Sequence, residues 1–177
     1  TNRSEEQRAA MGISRAFQIT QLFNELSVIE NLKLAAQSQH QNLSPFAKRE
    51  DAITERSHEL LDQLSLDAEK TTMVQTLSHG EKKRLEIGMS LATDPDLLML
   101  DEPTSGLSGK DSDEVMNLIN RLTEGITVLL IEHDVDIVLN YSDVITVLHQ
   151  GSFIAEGTPA EITKSDTVQE VYLGGYE

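Results

Sequence analysis

The strongest constraint on the fold comes from two apolar runs, residues 97–100 and 126–131, in which apolar and polar side chains do not alternate. Nearly continuous apolar runs of strand length are typical of strands that are covered on both faces in a parallel sheet. Between them, residues 111–122 have helical periodicity, and Gly125 follows as a stop signal. Strand, helix and strand in this order predict a βαβ unit, and therefore an α/β fold with a mostly parallel sheet.

The chain ahead of these runs is predicted to be mainly helical. Ser27 with Glu30, and Ser78 with Glu81, have the spacing of capping boxes. In such a box a hydroxyl and a carboxylate each bond a backbone amide at a helix N-terminus. Residues 47–64 continue the helical spacing of apolar side chains. We therefore expect a helical lobe ahead of the α/β core.

The C-terminal part of the chain is predicted to contain a hairpin and a short helix. Residues 144–148 and 153–155 are strand-like and flank the turn residues 149–152, which indicates a hairpin at the edge of the sheet. Thr158 and Glu161 repeat the capping-box spacing. We expect a helix to begin there.

Composition excludes several classes of function. The chain has 14 Lys and Arg against 30 Asp and Glu, a formal net charge of -16, so we expect no general attraction to nucleic acid or anionic lipid. It has no cysteine, which excludes disulfides, thiolate zinc sites and cysteine nucleophiles. Its apolar runs fall far short of the ~20 residues that cross a bilayer. Residues 1–11 have neither a start methionine nor the apolar core of a signal peptide, and we interpret them as a cut edge.

Three short segments with chemical potential follow one another along the chain. They are Leu77-Ser78-His79-Gly80-Glu81, then Leu97-Leu98-Met99-Leu100-Asp101-Glu102-Pro103-Thr104, and then Glu132-His133-Asp134. In this order they resemble the signature motif, the Walker B strand and the switch histidine of the ABC ATPase family, and Phe17-Gln18 resembles its Q-loop. The resemblance covers essentially the whole chain.

The resemblance implies a fold and a division of the chain. The fold is a P-loop NTPase (RecA-like) core with a mostly parallel sheet, plus an ABC-type helical subdomain. Residues 1–24 would be a core segment with the Q-loop, and residues 25–95 the helical subdomain with the signature motif. Residues 96–177 would return to the core with Walker B, the D-loop, the switch histidine and the C-terminal helices.

Asp101 and Glu102 directly follow the apolar run 97–100. The carboxyl ends of parallel strands border the crevice in which open α/β sheets bind ligands. Because neighbouring strand residues point to opposite sides, we expect Asp101 to hold Mg²⁺ and Glu102 to face the water that attacks the γ-phosphate of ATP. The alternative is a strand that merely ends in two solvated acids.

Ser78, His79, Gly80 and Glu81 lie at a predicted helix N-terminus, whose exposed amides can bind a phosphate. An ordinary capped helix would also explain Ser78 and Glu81. The resemblance implies that this segment binds the ATP held by a second ATPase subunit in a head-to-tail dimer, homo- or heteromeric. His79 stands where many family members have glycine, a departure that we expect Gly80 to make tolerable.

The remaining roles also come from the resemblance. It implies that His133 reaches the γ-phosphate, where the alternative is a satisfied loop histidine. Gln18 would contact Mg²⁺ and its water and relay the state of the site to a membrane partner. The D-loop position is occupied by Ser105, Gly106, Leu107 and Ser108. Ser108 replaces the usual aspartate, so its cross-dimer contact is in question.

An ATP site of this kind needs the sequence G-x-x-x-x-G-K-[ST], whose amides and lysine bind the phosphates. The chain contains no such sequence. We expect the first strand and the Walker A region to lie upstream of Thr1, and we expect the 177 residues alone to be inactive.

Residues 12–18, 22–31 and 168–174 resemble importers of branched-chain amino acids and urea. This implies a membrane-spanning permease, a periplasmic or surface-anchored binding protein, and a peripheral position on the cytoplasmic face of the plasma membrane, with no nucleic acid partner. One alternative is the ATPase of lipopolysaccharide export. Alternatives of another class are a soluble ABC-type protein and a non-catalytic interaction fragment.

Overall fold

The computed structural model describes residues 4, 7–8, 11–16, 22–37 and 46–173. The chain divides into two compact units, Thr1–Ile131 and Glu132–Glu177. The elements of the first unit are β1 (Ile13–Ala16), α1 (Val28–Ala36), α2 (Phe46–Gln63), a 3₁₀ turn (Val74–Thr76), α3 (His79–Leu91), β2 (Leu97–Asp101), α4 (Gly109–Leu122) and β3 (Thr127–Ile131). Those of the second are α5 (Val135–Tyr141), β4 (Ile145–His149), β5 (Ser152–Gly157), α6 (Pro159–Ile162), α7 (Asp166–Val168) and a π-helical turn (Gln169–Leu173).

The first unit contains a three-stranded parallel sheet with β2 in the centre. β1 pairs with β2 so that Ser14 lies opposite Leu98, and β3 pairs with β2 so that Val128 lies opposite the same residue. The helix α4 connects β2 to β3. The predicted βαβ unit and the α/β fold class are therefore confirmed.

The burial of β3 differs from that of β2. Leu98 and Leu100 of the central strand are buried, whereas Leu129 and Ile131 of β3 are 46% and 51% exposed. A central strand is flanked on both sides by the side chains of its neighbours, and β3 has one neighbour among the described strands. Within the described residues β2 is therefore more deeply buried than β3, and the coverage of β3 on both faces stays a prediction.

Helices α1, α2 and α3 pack together as a helical layer in the first unit. Their shared core consists of side chains with no exposed surface, chiefly Val28, Leu32, Leu60, Leu61, Leu64 and Leu85. The predicted capping boxes of Ser27 with Glu30 and of Ser78 with Glu81 are both present, so the local sequence does start α1 and α3.

Asn31 ties the segment that enters α1 to the helix. Its side chain is fully buried. The amide oxygen accepts from the backbone N–H of Phe23 at 2.9 Å, and Nδ2 donates to the carbonyls of Phe23 and Ser27 at 3.1 and 2.9 Å. Because the Asn31 side chain lies away from bulk water, these hydrogen bonds are what makes a buried amide tolerable at this position.

In the second unit the predicted hairpin is present as β4 and β5, which turn through Gln150 and Gly151 with φ of 49° and 77°. Among the described residues the two strands pair with each other, so the hairpin itself is confirmed, and its place at a sheet edge stays a prediction. Ile145, Ile162 and Val168 form the core of this unit. The capping box of Thr158 and Glu161 starts α6 as predicted.

We find no helix in the described part of the chain that combines the length and the apolar character required to cross a membrane.

Candidate functional site

The carboxyl end of the central strand carries two acids. Asp101 is the last residue of β2, and its Oδ2 lies 3.1 Å from a guanidinium nitrogen of Arg15. The Asp101 side chain is 24% exposed. It therefore presents a partly open carboxylate at the strand end, with a cation beside it.

Glu102 lies beyond the strand, in a backbone conformation that is rare for its residue type. Its φ is 49°, and its N–H donates to the carbonyl of Ile131 at 2.8 Å. Left-handed conformations of residues other than glycine cost free energy and concentrate at functional sites. The expectation that Glu102 is oriented by the pleat of β2 is therefore wrong. The turn that begins at Glu102 sets the direction of its side chain.

The D-loop residues continue this turn into α4. The N–H of Ser105 donates to the carbonyl of Glu102, and the N–H of Leu107 donates to the carbonyl of Thr104, both at 3.1 Å. Gly106 has a φ of 78°, which its lack of a Cβ permits. The result is a tight, exposed turn directly after the two acids.

Ser108 occupies the N-cap position of α4. Its hydroxyl donates to Oδ2 of Asp111 at 2.7 Å and makes no capping bond to a backbone amide. An acid at the third position of a helix is favourable because of the helix dipole. In this structure the hydroxyl of Ser108 is therefore directed to a carboxylate of its own helix.

The signature segment forms the N-terminus of α3. The hydroxyl of Ser78 accepts from the N–H of Glu81 at 3.3 Å, and the Glu81 carboxylate accepts from the N–H of Ser78 at 2.7 Å. The hydroxyl and the amide of Ser78 hold the pKa of Glu81 below its usual range. Gly80, in the first turn, has open space where a side chain would begin.

Further along α3, Lys83 and Glu86 form an ion pair at 3.4 Å with side chains only 9% and 11% exposed. Burial raises the pKa of Glu86, and the charge of Lys83 opposes that shift. A charged pair of this kind inside a helical layer is costly unless both partners stay together.

The structure brings the signature segment and the D-loop together. Nε2 of His79 lies 3.4 Å from the carbonyl oxygen of Ser105. Ser78, His79 and Gly80 also line a cavity of about 630 Å³ with Gly106 and Leu107. Two segments that lie apart in the chain thus form one surface beside the carboxyl end of β2.

His133 belongs to the second unit. Its ring is 74% exposed, and Nδ1 lies 3.8 Å from Oε2 of Glu132. Asp134 caps α5, with its carboxylate accepting from the amides of Asp136 and Ile137 at 3.0 and 3.3 Å. The helix α5 begins directly after this segment. The other predicted residue, Gln18, lies outside the described residues.

Arg15 is a site residue that no sequence pattern singled out. It lies in β1, 86 positions before Asp101, and comes next to it because β1 and β2 are parallel neighbours. The available signal was a basic residue near the end of a short strand. That signal has no meaning until the strand order is known.

Comparisons with known proteins agree with this geometry. The model of the family described as "ABC transporter" matches residues 1–105, and that of "Branched-chain amino acid ATP-binding cassette transporter" matches residues 154–177. The high-affinity branched-chain amino acid transport ATP-binding protein LivG of Salmonella typhimurium is 38% identical, over 96% of this chain and 70% of its own length. The similarly named BraF of Pseudomonas aeruginosa is also 38% identical, over 94% and 69%.

Solved structures show the same likeness. The ADP conformation of an ATP-binding cassette of an ABC transporter superposes with a TM-score of 0.79 at 30% identity, over 98% of this chain and 73% of that one. A nucleotide-free cassette gives a TM-score of 0.76 at 29% identity, over 97% and 72%. The chain therefore belongs to the ABC transporter family, as an ATP-binding domain with the C-terminal segment of the branched-chain amino acid group.

Proposed function

We propose that this chain is the greater part of the ATP-hydrolysing subunit of an importer for branched-chain amino acids or a related substrate such as urea. The observation that carries the ATPase proposal is the pair of acids at the carboxyl end of the central parallel strand. The substrate class rests on the match of residues 154–177 and on the names of the relatives.

Asp101 fits a magnesium site. Mg²⁺ prefers hard oxygen ligands and is commonly held by one or two carboxylates together with substrate phosphates. The Asp101 carboxylate is such a ligand, and it is partly exposed at the strand end. Arg15 would orient it through Oδ2. A bound Mg²⁺ would supply positive charge that offsets the negative charge developing on the transferred phosphate.

Glu102 is proposed to orient the attacking water and to accept its proton at the carboxylate. Its left-handed backbone, held by the bond to Ile131, gives this side chain a direction different from that of Asp101. A ring nitrogen of His133 would donate to the γ-phosphate, and the Gln18 amide would contact Mg²⁺ and the water. These are the roles that the family resemblance suggests for the two residues.

The signature segment is proposed to bind the ATP of a second subunit. Ser78 would donate its hydroxyl, and the open space at Gly80 would let a phosphate approach the helix N-terminus. The D-loop, Ser105 to Ser108, would meet the partner beside that site. Each ATP would then lie between two subunits, so that hydrolysis depends on the dimer.

A complete transporter would also contain the permease and a binding protein, and we propose that this subunit lies peripherally on the cytoplasmic face of the membrane. Residues 25–95 are the proposed helical subdomain, between core segments 1–24 and 96–177. Since no G-x-x-x-x-G-K-[ST] sequence occurs in the 177 residues, they alone are proposed neither to bind ATP tightly nor to hydrolyse it.

The test uses the complete subunit assembled with its permease in liposomes, with ATP hydrolysis and leucine uptake measured together. Glu102→Gln keeps the size of the side chain but removes the base. We expect it to lower ATP turnover by about 100-fold or more and to abolish uptake, because general bases contribute about that much. Glu124→Gln is the matched control at an exposed acid, and it should leave both activities unchanged.

Full turnover by Glu102→Gln would refute the ATPase proposal for this site. Normal ATPase activity without uptake of branched-chain amino acids or urea would refute the substrate class alone. Rapid magnesium-dependent hydrolysis by the 177-residue chain would refute its proposed inactivity.

A further inference from the structure

The side chain of His79 connects the signature segment to the D-loop of the same chain. Its Nε2 lies 3.4 Å from the carbonyl oxygen of Ser105, which is 26 positions away. A carbonyl oxygen can only accept, so a hydrogen bond here requires the histidine tautomer that carries the hydrogen on Nε2. A side chain at Gly106 would begin only 3.3 Å from the same nitrogen. The ring therefore lies against the Ser105–Gly106 peptide.

Two backbone hydrogen bonds within the described D-loop turn are short-range. Ser105 bonds back to Glu102, and Leu107 bonds back to Thr104. Bonds across three residues shape a turn but do not hold it against another element. The contact with His79 does, since His79 is the first residue of α3.

A cavity of about 630 Å³ is lined by both segments together with residues of α4. The His79 side chain extends from one segment to the other. A glycine at position 79 has no atoms that could reach Ser105. A histidine has the length and a donor at its far end.

We propose that His79 is a positioning residue, which fixes the D-loop relative to the signature segment within one subunit. This inference rests on the proposed function, in which both segments contact the partner subunit at its ATP. Holding them together makes them approach the partner as one surface. The loss of the donor should loosen the D-loop and weaken the dependence of one ATP site on the other.

The first test needs no catalysis. Hydrogen exchange is measured on the D-loop amides of the complete, nucleotide-free subunit, for the wild type and for His79→Ala, His79→Phe and His79→Gln. Ala removes the ring, Phe keeps a ring without a donor, and Gln keeps a donor at similar reach. We expect exchange at Ser105 and Leu107 to rise about two- to tenfold in Ala and Phe, which corresponds to the loss of one hydrogen bond. We expect Gln to stay near wild type.

The second test measures ATP turnover against ATP concentration for the same variants in the assembled transporter. Ala and Phe should lower kcat about two- to tenfold. They should also lower the Hill coefficient, with KM changed less than kcat. His58→Ala is the matched control, an exposed histidine on α2 that contacts Lys70, and it should change neither assay.

Unchanged D-loop exchange in His79→Ala would overturn the contact. Faster exchange with unchanged kcat and Hill coefficient would overturn the positioning role. A raised KM alone, not rescued by Gln, would point to direct contact with ATP and would also overturn it. Failure of the proposed function itself would appear separately, as full turnover in Glu102→Gln.

Discussion

Gly88 lies inside α3, where helix propensity and tertiary packing make opposite predictions for its replacement by alanine. Propensity alone favours alanine over glycine in a helix interior by about 1 kcal/mol. In the structure, however, a Cβ at this position would overlap Cδ1 of Leu64 and lie 3.2 Å from Cδ2 of Leu32. Both leucines have no exposed surface, so neither can move aside into solvent.

The magnitude follows from these two effects. Inserting a carbon into a packed core costs about 1–3 kcal/mol. The absence of room around Leu64 favours the upper part of that range, and subtracting the gain in propensity leaves a net loss of about 1–2 kcal/mol. For a domain of this size, that loss lowers Tm by about 2–8 °C.

The assay is thermal unfolding of the complete subunit, followed by circular dichroism. Gly80→Ala is the matched control in the same helix, because nothing lies within 4 Å of a Cβ at that position. It should leave Tm unchanged or raise it. Leu64→Val should cost less in the Gly88→Ala background than in the wild type, since it removes the crowded carbon. If Gly88→Ala raised Tm as Gly80→Ala does, the packing argument would be refuted.

Three further predictions concern stability. Asn31→Leu removes the three hydrogen bonds of a buried side chain and should cost about 2–4 kcal/mol; a loss below about 1 kcal/mol would contradict the proposal that these bonds tie the segment before α1 to the helix. Glu81 has a lowered pKa because Ser78 bonds its ionised form, so its stabilisation is present above its ordinary value of 4.5 and is lost as the pH falls through the lower folded-state value. Chemical unfolding from about pH 6 to about pH 3 should therefore show a smaller decline in Glu81→Gln than in the wild type, and equal declines would exclude the linkage. Arg56→Met removes the 2.7 Å ion pair with Asp94 and should lower the free energy of unfolding by about 1 kcal/mol, measured by thermal unfolding. Adding Asp94→Asn to this variant should then cost little more. A second loss of full size would show that the two residues do not act as a pair.

The sheet and its helices illustrate how far local pattern reaches. The runs that became β2 and β3 were recognisable because their apolar residues do not alternate, and Ser27 and Ser78 mark helix starts through a chemistry that involves only three neighbouring positions. The burial of a strand depends in addition on which neighbours it has. β3 has the apolar sequence of a covered strand, yet Leu129 and Ile131 are about half exposed.

The candidate site divides in the same way. Asp101 and Glu102 were identifiable from their place after an apolar run and from the order of the motifs around them. The backbone conformation of Glu102 could not be predicted from the sequence, because the strand ends one residue earlier and the chain turns there with a φ of 49°. The roles of Gln18 and His133 in ATP hydrolysis stay predictions.

By itself, the order of residues determined the α/β class, the helix caps and the sequence of family motifs, because each of these depends on chemistry within a few positions. Only the tertiary structure decided that Arg15 meets Asp101 across 86 positions, that His79 meets Ser105 across 26, and that Leu64 leaves no room beside Gly88. Such contacts join residues whose sequence separation carries no information about distance. They exist because strands and helices pack in one particular arrangement.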